Sequence, residues 1–401
     1  MKKKKKLLLL GGTVYMLPAI AACKKNDIIV YTVDYLPNNI AHKFSDGYYN
    51  VSTIDKEAVL ELAKKLDVDG INAFAADAGM KTAAYVAEKL NLPCVADYKT
   101  VELLQDKPKF RTFLRDNGFD VPVFKGFKTY NEALKDISLF KLPIIVKPAD
   151  SAGSKGVTKI TNLDNLKQAC EYALQFSLKK EFIIEEFIET IIPPSDADCF
   201  SIDGKLTHFT LGEQYYAKDA PGMFTPYVYV YPTTWPAEKA KRLKDELQRL
   251  ITLLGLKTSI YNVEARVSKD GTVYIMEVSP RAGGNRIPEG TGIGYNFDII
   301  EATMLHAVGE PFNIPAPSKI DYLWVSIVIH SVTSGTFDRI VIDEKIKDYI
   351  VELDMLVKEG DKVEAFTGSN KMVGTAVLKI DSSIEEYFRA NIYDLIKVKV
   401  K

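Results

Sequence analysis

Short apolar runs alternate with amphipathic stretches through the first hundred residues. Leu7–Leu10 (LLLL), Asp27–Asp34 (DIIVYTVD), Gly70–Ala75 (GINAFA) and Pro93–Ala96 (PCVA) read as strands. Between them, Asp55–Leu66 (DKEAVLELAKKL) and the alanine-rich run Ala78–Leu90 read as helices, and a Gly11-Gly12 turn leads to a helix opening near Tyr15. Strands and helices in alternation, joined by short connections, predict a parallel sheet covered on both faces.

The pattern changes at Asp106-Lys107-Pro108, where Asp106 is placed to cap a helix and Pro108 falls in its first turn. Longer strands of antiparallel character follow: VFKGFK, PIIVKPA, FIIEEFI and DADCFSIDGKLTHFTLGEQY. A long amphipathic helix over Pro236–Leu254 precedes two alternating runs, YNVEARV and TVYIMEVS, separated by Lys269-Asp270-Gly271. Asp-Gly between alternating runs predicts a hairpin. With a two-residue Asp270-Gly271 turn, Lys269 pairs with Thr272, Glu264 faces Glu277, and Asn262 faces Ser279. Beyond about Pro317 lies a tail of short strands with little functional signature.

Like charges facing each other across two strands are destabilising unless something holds them. The pair is either a solvated polar face or a site where Mg²⁺ takes both carboxylates and completes its shell with phosphate. Val146–Val157 (VKPADSAGSKGV) delivers Lys147 from a strand into a glycine loop whose backbone N–H groups can wrap phosphate oxygens; a surface hairpin loop is its plainer reading. It is not a Walker A loop, and Gly290-Thr291-Gly292-Ile293-Gly294 follows no strand and is no dinucleotide fingerprint. Arg281, just past the second hairpin strand, can stabilise a transferred phosphoryl group or serve only as a strand-end ion pair.

The chain has 401 residues, 47% of them hydrophobic and 26% charged, with a formal net charge of -1. That is room for two or three domains of an ordinary globular protein, and the balance gives no electrostatic case for nucleic acid. Cys23, Cys94, Cys170 and Cys199 form no CxxC pair, and four histidines argue against a zinc cluster. Lys2–Lys6, a short apolar run and Ile20-Ala21-Ala22-Cys23 imitate a lipoprotein signal. The run is too short and too broken by Gly11, Gly12 and Pro18 to span a membrane, so it is read as a strand, a turn and a helix start in a cytoplasmic protein.

Taken in order, Lys107 at a "DK" helix start, Lys147 before a glycine loop, EEFI, and a carboxylate pair ending in E-x-S-P-R resemble the ATP-grasp superfamily. The branch most similar is that of biotin carboxylase, the carbamoyl-phosphate synthetase large chain and phosphoribosylglycinamide synthetase. The likeness runs from Leu7 to about Gly309. It implies mixed α/β and α+β architecture. Residues 1–100 would be a Rossmann-like pre-ATP-grasp domain, and 101–315 a two-lobed ATP-grasp domain with a mobile lid over about 120–190. Residues 316–401 would be a small β-rich C-terminal domain.

It further implies ATP with Mg²⁺ (or Mn²⁺) as cofactors. Lys107 and Lys147 would contact nucleotide phosphates under a loop containing Ser151, Gly153, Ser154 and Gly156. Glu185, Glu186 and Ile188 would line the adenine hinge, with backbone groups of Glu186 and Ile188 reading the base. Glu264, Glu277 and Ser279 would hold metal, and Arg281 would act as the catalytic arginine. The family usually carries Asn where Ser279 stands, which puts a second metal in question; Asn262 across the hairpin could supply an amide.

The activity implied is ATP-dependent joining of a carboxylate to an amine or amino acid through an acyl-phosphate. Bicarbonate activation, a phosphoribosylglycinamide-synthetase-like reaction and a non-catalytic nucleotide-binding role are the alternatives. The partners expected are small-molecule carboxylates and amines, with no nucleic acid and no membrane, and homodimerisation is left open. The donor carboxylate is expected near Arg281, Gly283, Gly284 and Asn285.

Overall fold

The computed structural model describes residues 3–315 and 320–401. Both the predicted boundary at 315/316 and the tail's start near Pro317 touch residues outside that range. In chain order the elements are β1 (Lys6–Leu10), α1 (Leu17–Lys25), β2 (Ile29–Val33), β3 (Gly47–Tyr49), α2 (Lys56–Leu66), β4 (Gly70–Asn72), α3 (Asp77–Leu90), α4 (Tyr98–Leu104) and α5 (Lys107–Asp116). There follow β5 (Phe124–Phe127), α6 (Tyr130–Asp136), β6 (Ile144–Pro148), β7 (Thr158–Ile160), α7 (Leu166–Phe176) and β8 (Phe182–Glu186). Next come β9 (Ser195–Ile202), β10 (Lys205–Phe209), β11 (Gly212–Tyr216), β12 (Pro226–Tyr231), α8 (Ala237–Leu253), β13 (Ser259–Val267), β14 (Val273–Ser279), α9 (Ile287–Tyr295) and α10 (Ile299–Ala307). The chain ends with β15 (Leu323–Ile329), β16 (Gly335–Ile342), β17 (Ile350–Met355), β18 (Lys362–Val363), β19 (Gly374–Ile380), α11 (Glu385–Ala390) and β20 (Ile396–Val400).

The first sheet is parallel, in the order β3-β2-β1-β4. Its interior strand β1 explains the leucine quartet. Leu8 and Leu10 pack with Val59, Ala63 and Ala83 from α2 and α3 on one face, and Leu7 and Leu9 pack with Ala19, Cys23 and Met304 from α1 and α10 on the other. A strand buried on both faces needs apolar residues at consecutive positions. Cys23 is buried within α1. One reading of this region needs correction, and one strand was missed. Pro93–Ala96 is irregular, because the sheet ends at β4 and Asp97 already caps α4 by accepting from Thr100 N at 2.6 Å. The edge strand β3 was not foreseen, since three half-buried residues carry no alternation.

Residues 124–186 hold a separate four-stranded antiparallel sheet, β5-β8-β6-β7, backed by α6 and α7. The largest sheet has nine strands, running β14-β13-β9-β11-β12-β15-β19-β17 with β10 attached to β9. It passes through the expected boundary between ATP-grasp and C-terminal segments, because β12 pairs with β15 over Val228–Tyr231. All seven residues of β15 are buried, so the tail is structurally continuous with what precedes it. Among the described residues no helix is long and apolar enough to cross a membrane.

Gly70 on β4 is a point of close approach between this first sheet and α10. A Cβ there would lie 2.0 Å from the Ala307 carbonyl oxygen, which is backbone and cannot swing aside. Gly70→Ala is expected to lower stability by about 1–3 kcal/mol, read from denaturant unfolding; an unchanged midpoint would show that the helix yields freely.

Candidate active site

The hairpin β13–β14 sets the floor. Its turn is one residue longer than predicted: Ser268 N donates to Thr272 O at 2.9 Å, enclosing Lys269, Asp270 and Gly271, with Gly271 in the left-handed region at φ 87°. This shifts the pairing to Val267 with Val273 and Ala265 with Ile275. An irregularity at Met276 then restores the expected register, so Glu264 does face Glu277 and Asn262 faces Ser279. The expected pairing is reached by a longer turn and a compensating bulge.

On the other side of β13, Glu264 pairs with Asp196 and Asn262 with Asp198. Three carboxylates therefore stand in a row across three strands. Asp196 and Asp198 were missed, although their period-two spacing in DADCFSID puts both on one face of β9. Asn262 Nδ2 donates to Asp196 Oδ1 at 2.7 Å and Asp198 Oδ1 at 3.1 Å, while Gly283 N donates to both Asp198 oxygens at 2.9 and 3.1 Å. Burial pushes Asp198 up to about 7 and, with Glu264 beside it, raises Asp196 well above the carboxylate range. Burial and then the facing Glu277 raise Glu264. Burial also opposes charge on Glu277, but Lys107, Arg281 and Lys147 outweigh it and its pKa falls. Two like-charged carboxylates held face to face are expected to split in this way, one protonation-prone and the other ionised. The oxygen donors and phosphate-sized space fit a hard divalent cation, although no cluster of three or more His, Cys, Asp or Glu side chains among the described residues is arranged to hold one by itself.

Lys107 is the first residue of α5, whose N-cap Asp106 accepts from Lys109 N at 3.1 Å. Its Nζ lies 3.6 Å from Glu277 Oε2 and donates to Ser151 O at 2.8 Å. Lys147, on β6, forms an ion pair with Glu185 on β8. Arg111, one helical turn beyond Lys107, donates from Nε to Glu185 Oε1 at 2.7 Å and from a terminal nitrogen to Met276 O at 2.7 Å. Burial opposes ionisation of Glu185, yet Arg111 and then Lys147 hold its pKa near 2; burial also depresses Lys147. Arg281 donates to both oxygens of Asp77, at the start of α3, each at 2.9 Å.

These groups meet in a cavity of about 240 Å³ whose walls include Lys107, Lys147, Ser151, Gly153, Ser154, Glu264, Glu277 and Arg281. The Ser151–Gly156 loop lies over it, with Ser154 Oγ donating to Phe224 O at 2.9 Å. Ser279 faces an adjoining cavity of about 410 Å³ shared with Lys107 and Glu277, and its hydroxyl donates to Glu277 Oε1 at 3.4 Å.

The expected hinge residues lie apart from the cavity. Glu185 does not line the cavity: it is fully buried under the wall between Arg111 and Lys147. Glu186 turns away, its N–H given to Val123 O and its carboxylate accepting from Lys141 N at 2.9 Å. Ile188 O accepts from Arg266 at 3.4 Å, and neither Glu186, Ile188 nor Gly156 is part of the cavity wall. Arg111, Asp77 and Tyr15 were also missed. Arg111's position four residues after Lys107, on the same helix face, was the available signal.

Residues 140–289 match the family model of the ATP-grasp domain. An uncharacterised protein of Sinorhizobium fredii, y4rH, is 26% identical over 272 residues, which cover 66% of this chain and 55% of that one. The carbamoyl phosphate synthase large chain of Caldanaerobacter subterraneus is 24% identical over 278 residues, 66% of this chain and 24% of that one. The matches thus span about half or less of those relatives' lengths. The crystal structure of an L-amino acid ligase from Bacillus licheniformis superposes over the whole of both chains with a TM-score of 0.81 at 21% identity, a likeness of fold.

Removing one member of a buried ion network strands the others without solvent. Arg111→Met is expected to cost about 3–5 kcal/mol of stability. Combined with Glu185→Gln, the loss in denaturant unfolding should fall clearly short of the sum of the two single losses; strict additivity would mean the contact carries no coupling.

Proposed function

We propose that this chain, whose residues 140–289 form an ATP-grasp domain, is an ATP-dependent ligase that joins a carboxylate to an amine. The observation that carries the reading is the meeting of Glu264 and Glu277 with Lys107, Lys147 and Arg281 around one cavity. A carboxylate is a poor electrophile; transfer of the γ-phosphoryl group makes it an acyl-phosphate, and attack by an amine then expels phosphate. Lys107 and Lys147 offer positive charge to the transferring phosphates, and Arg281, oriented by Asp77, offers a guanidinium to the reacting carboxylate. Glu264 and Glu277 would hold Mg²⁺, which when bound neutralises charge on the nucleotide phosphates. The loop Ser151–Gly156 would limit access of water to the acyl-phosphate. Burial of Cys23 and of the β1 strand ahead of it supports a working form in which both belong to the folded domain.

Two measurements test this. ADP release screened across carboxylic acids and amines with Mg²⁺ should yield ADP and phosphate; stoichiometric AMP would overturn the mechanism. Glu277→Gln should cut that ADP release by at least about a hundredfold, since roughly 3 kcal/mol of charge stabilisation is lost. Its unfolding midpoint should stay near that of the parent. Undiminished turnover in the folded variant would remove Glu277 from the site.

A further inference from the structure

A second cavity, of about 570 Å³, lies on the far side of Tyr15 from the polar one. Its walls are mostly apolar, with Leu17, Pro18, Phe74, Pro288, Met355 and Met372 prominent among them. The size and lining are those of a small-molecule pocket. It is joined to the polar cavity through one turn: Gly283 and Arg286 line the apolar cavity, Gly284 and Asn285 the polar one, and Tyr15 lines both.

That turn is held rigidly. Asn285 and Arg286 are consecutive left-handed residues at φ 55° and 67°, a conformation that persists only where its surroundings fix it. Tyr15 OH donates to Asn285 Oδ1 at 2.7 Å, Asn285 Nδ2 donates to Tyr229 OH at 2.8 Å, and Ser326 Oγ donates to Asn285 O at 2.7 Å.

The charges are unbalanced. Arg286 pairs with Glu352 and, at 3.0 Å, with Asp354 across on β17, so its guanidinium is already matched twice over. Glu289, which also lines this cavity, lies 3.4 Å from Arg286 Nε with little solvent access. Three carboxylates around one guanidinium leave a surplus of two negative charges at an otherwise apolar pocket. Burial raises Glu289 above the usual carboxylate range against the opposing pull of Arg286, and a second cation beside it would favour its charged form.

Building on the ligase reading, we propose that this cavity takes the carboxylate-donating substrate. That substrate is an α-amino acid with a bulky apolar side chain, its ammonium held by Glu289 and its side chain by the apolar walls. An amino acid so placed has its carboxylate at the Gly283–Arg286 turn, toward the cavity that holds Arg281. An acidic or phosphorylated substrate would meet the surplus negative charge and is disfavoured.

The test is binding, followed by turnover. Isothermal titration without nucleotide should give L-leucine and L-phenylalanine affinities at least tenfold tighter than N-acetyl-L-leucine or L-aspartate. Glu289→Gln should weaken L-leucine at least tenfold, with affinity for a fluorescent ATP analogue unchanged. Leu356→Glu, at the half-exposed rim, should weaken L-phenylalanine without disturbing the fold. Equal or tighter binding of L-aspartate or N-acetyl-L-leucine would overturn the proposal, as would absence of any leucine binding, even if another acid drives ADP release. Selective leucine binding that drives no ADP release with any amine would uphold this pocket and overturn the ligase reading instead.

Discussion

One fully buried carboxylate decides how the parts of this molecule meet. Glu185, on the central strand β8 of the four-stranded sheet, is gripped by Lys147 from the next strand and by Arg111 from α5. The same guanidinium reaches across to the carbonyl of Met276 in the nine-stranded sheet. Four segments far apart in sequence are thereby fixed around one charge centre, directly beneath the cavity wall. Such a cluster is weak evidence of net stabilisation, because desolvating three charges costs about as much as their attraction returns. Its effect is on geometry: Lys147 and Lys107 are held by neighbours that leave them few other places to go.

The carboxylate row on the hairpin shows a second, opposing constraint. Asp196, Glu264 and Glu277 are aligned by strand pairing, and the backbone gives them no means of escape. Their burdens are shared unequally: Lys107 and Arg281 favour charge on Glu277, while Asp196 and Glu264 are driven toward the neutral form. The site therefore stores a preference for incoming positive charge on the β9–β13 side, whereas the glycine loop and the two lysines offer the reverse on the other.

Much of this was legible in the chain because periodicity and turn chemistry are local. Leu7–Leu10 announced a strand buried on both sides, Asp106 announced its helix, and the alternation around Asp270-Gly271 announced the hairpin. What escaped reading was non-local or compensated. The Met276 irregularity cancels an extra turn residue, and nothing in the sequence distinguishes that from a tight turn in perfect register. Glu185 looked like part of a base-reading strand because its burial depends on Arg111, seventy-four positions earlier. The failure at Pro93–Ala96 has the opposite origin: an apolar run suited to a strand pairs with none, because the sheet ends at β4 and the chain turns straight into α4.

The pairing of β12 with β15 bears on how such a chain could be cut and recombined. Val228 and Val230 on β12 are buried together with Val325 and Ile327 on β15, and β19 extends the same ladder. A fragment ending after α10 would carry a raw row of hydrogen-bonding groups and bare valines at the middle of its largest sheet, the sort of edge that recruits a second chain. The last quarter of the polypeptide is thus no detachable appendage that a gene fusion could swap at its apparent boundary. Moving it would mean moving β12 and its neighbours as well, because the ladder β11-β12-β15-β19 crosses that boundary.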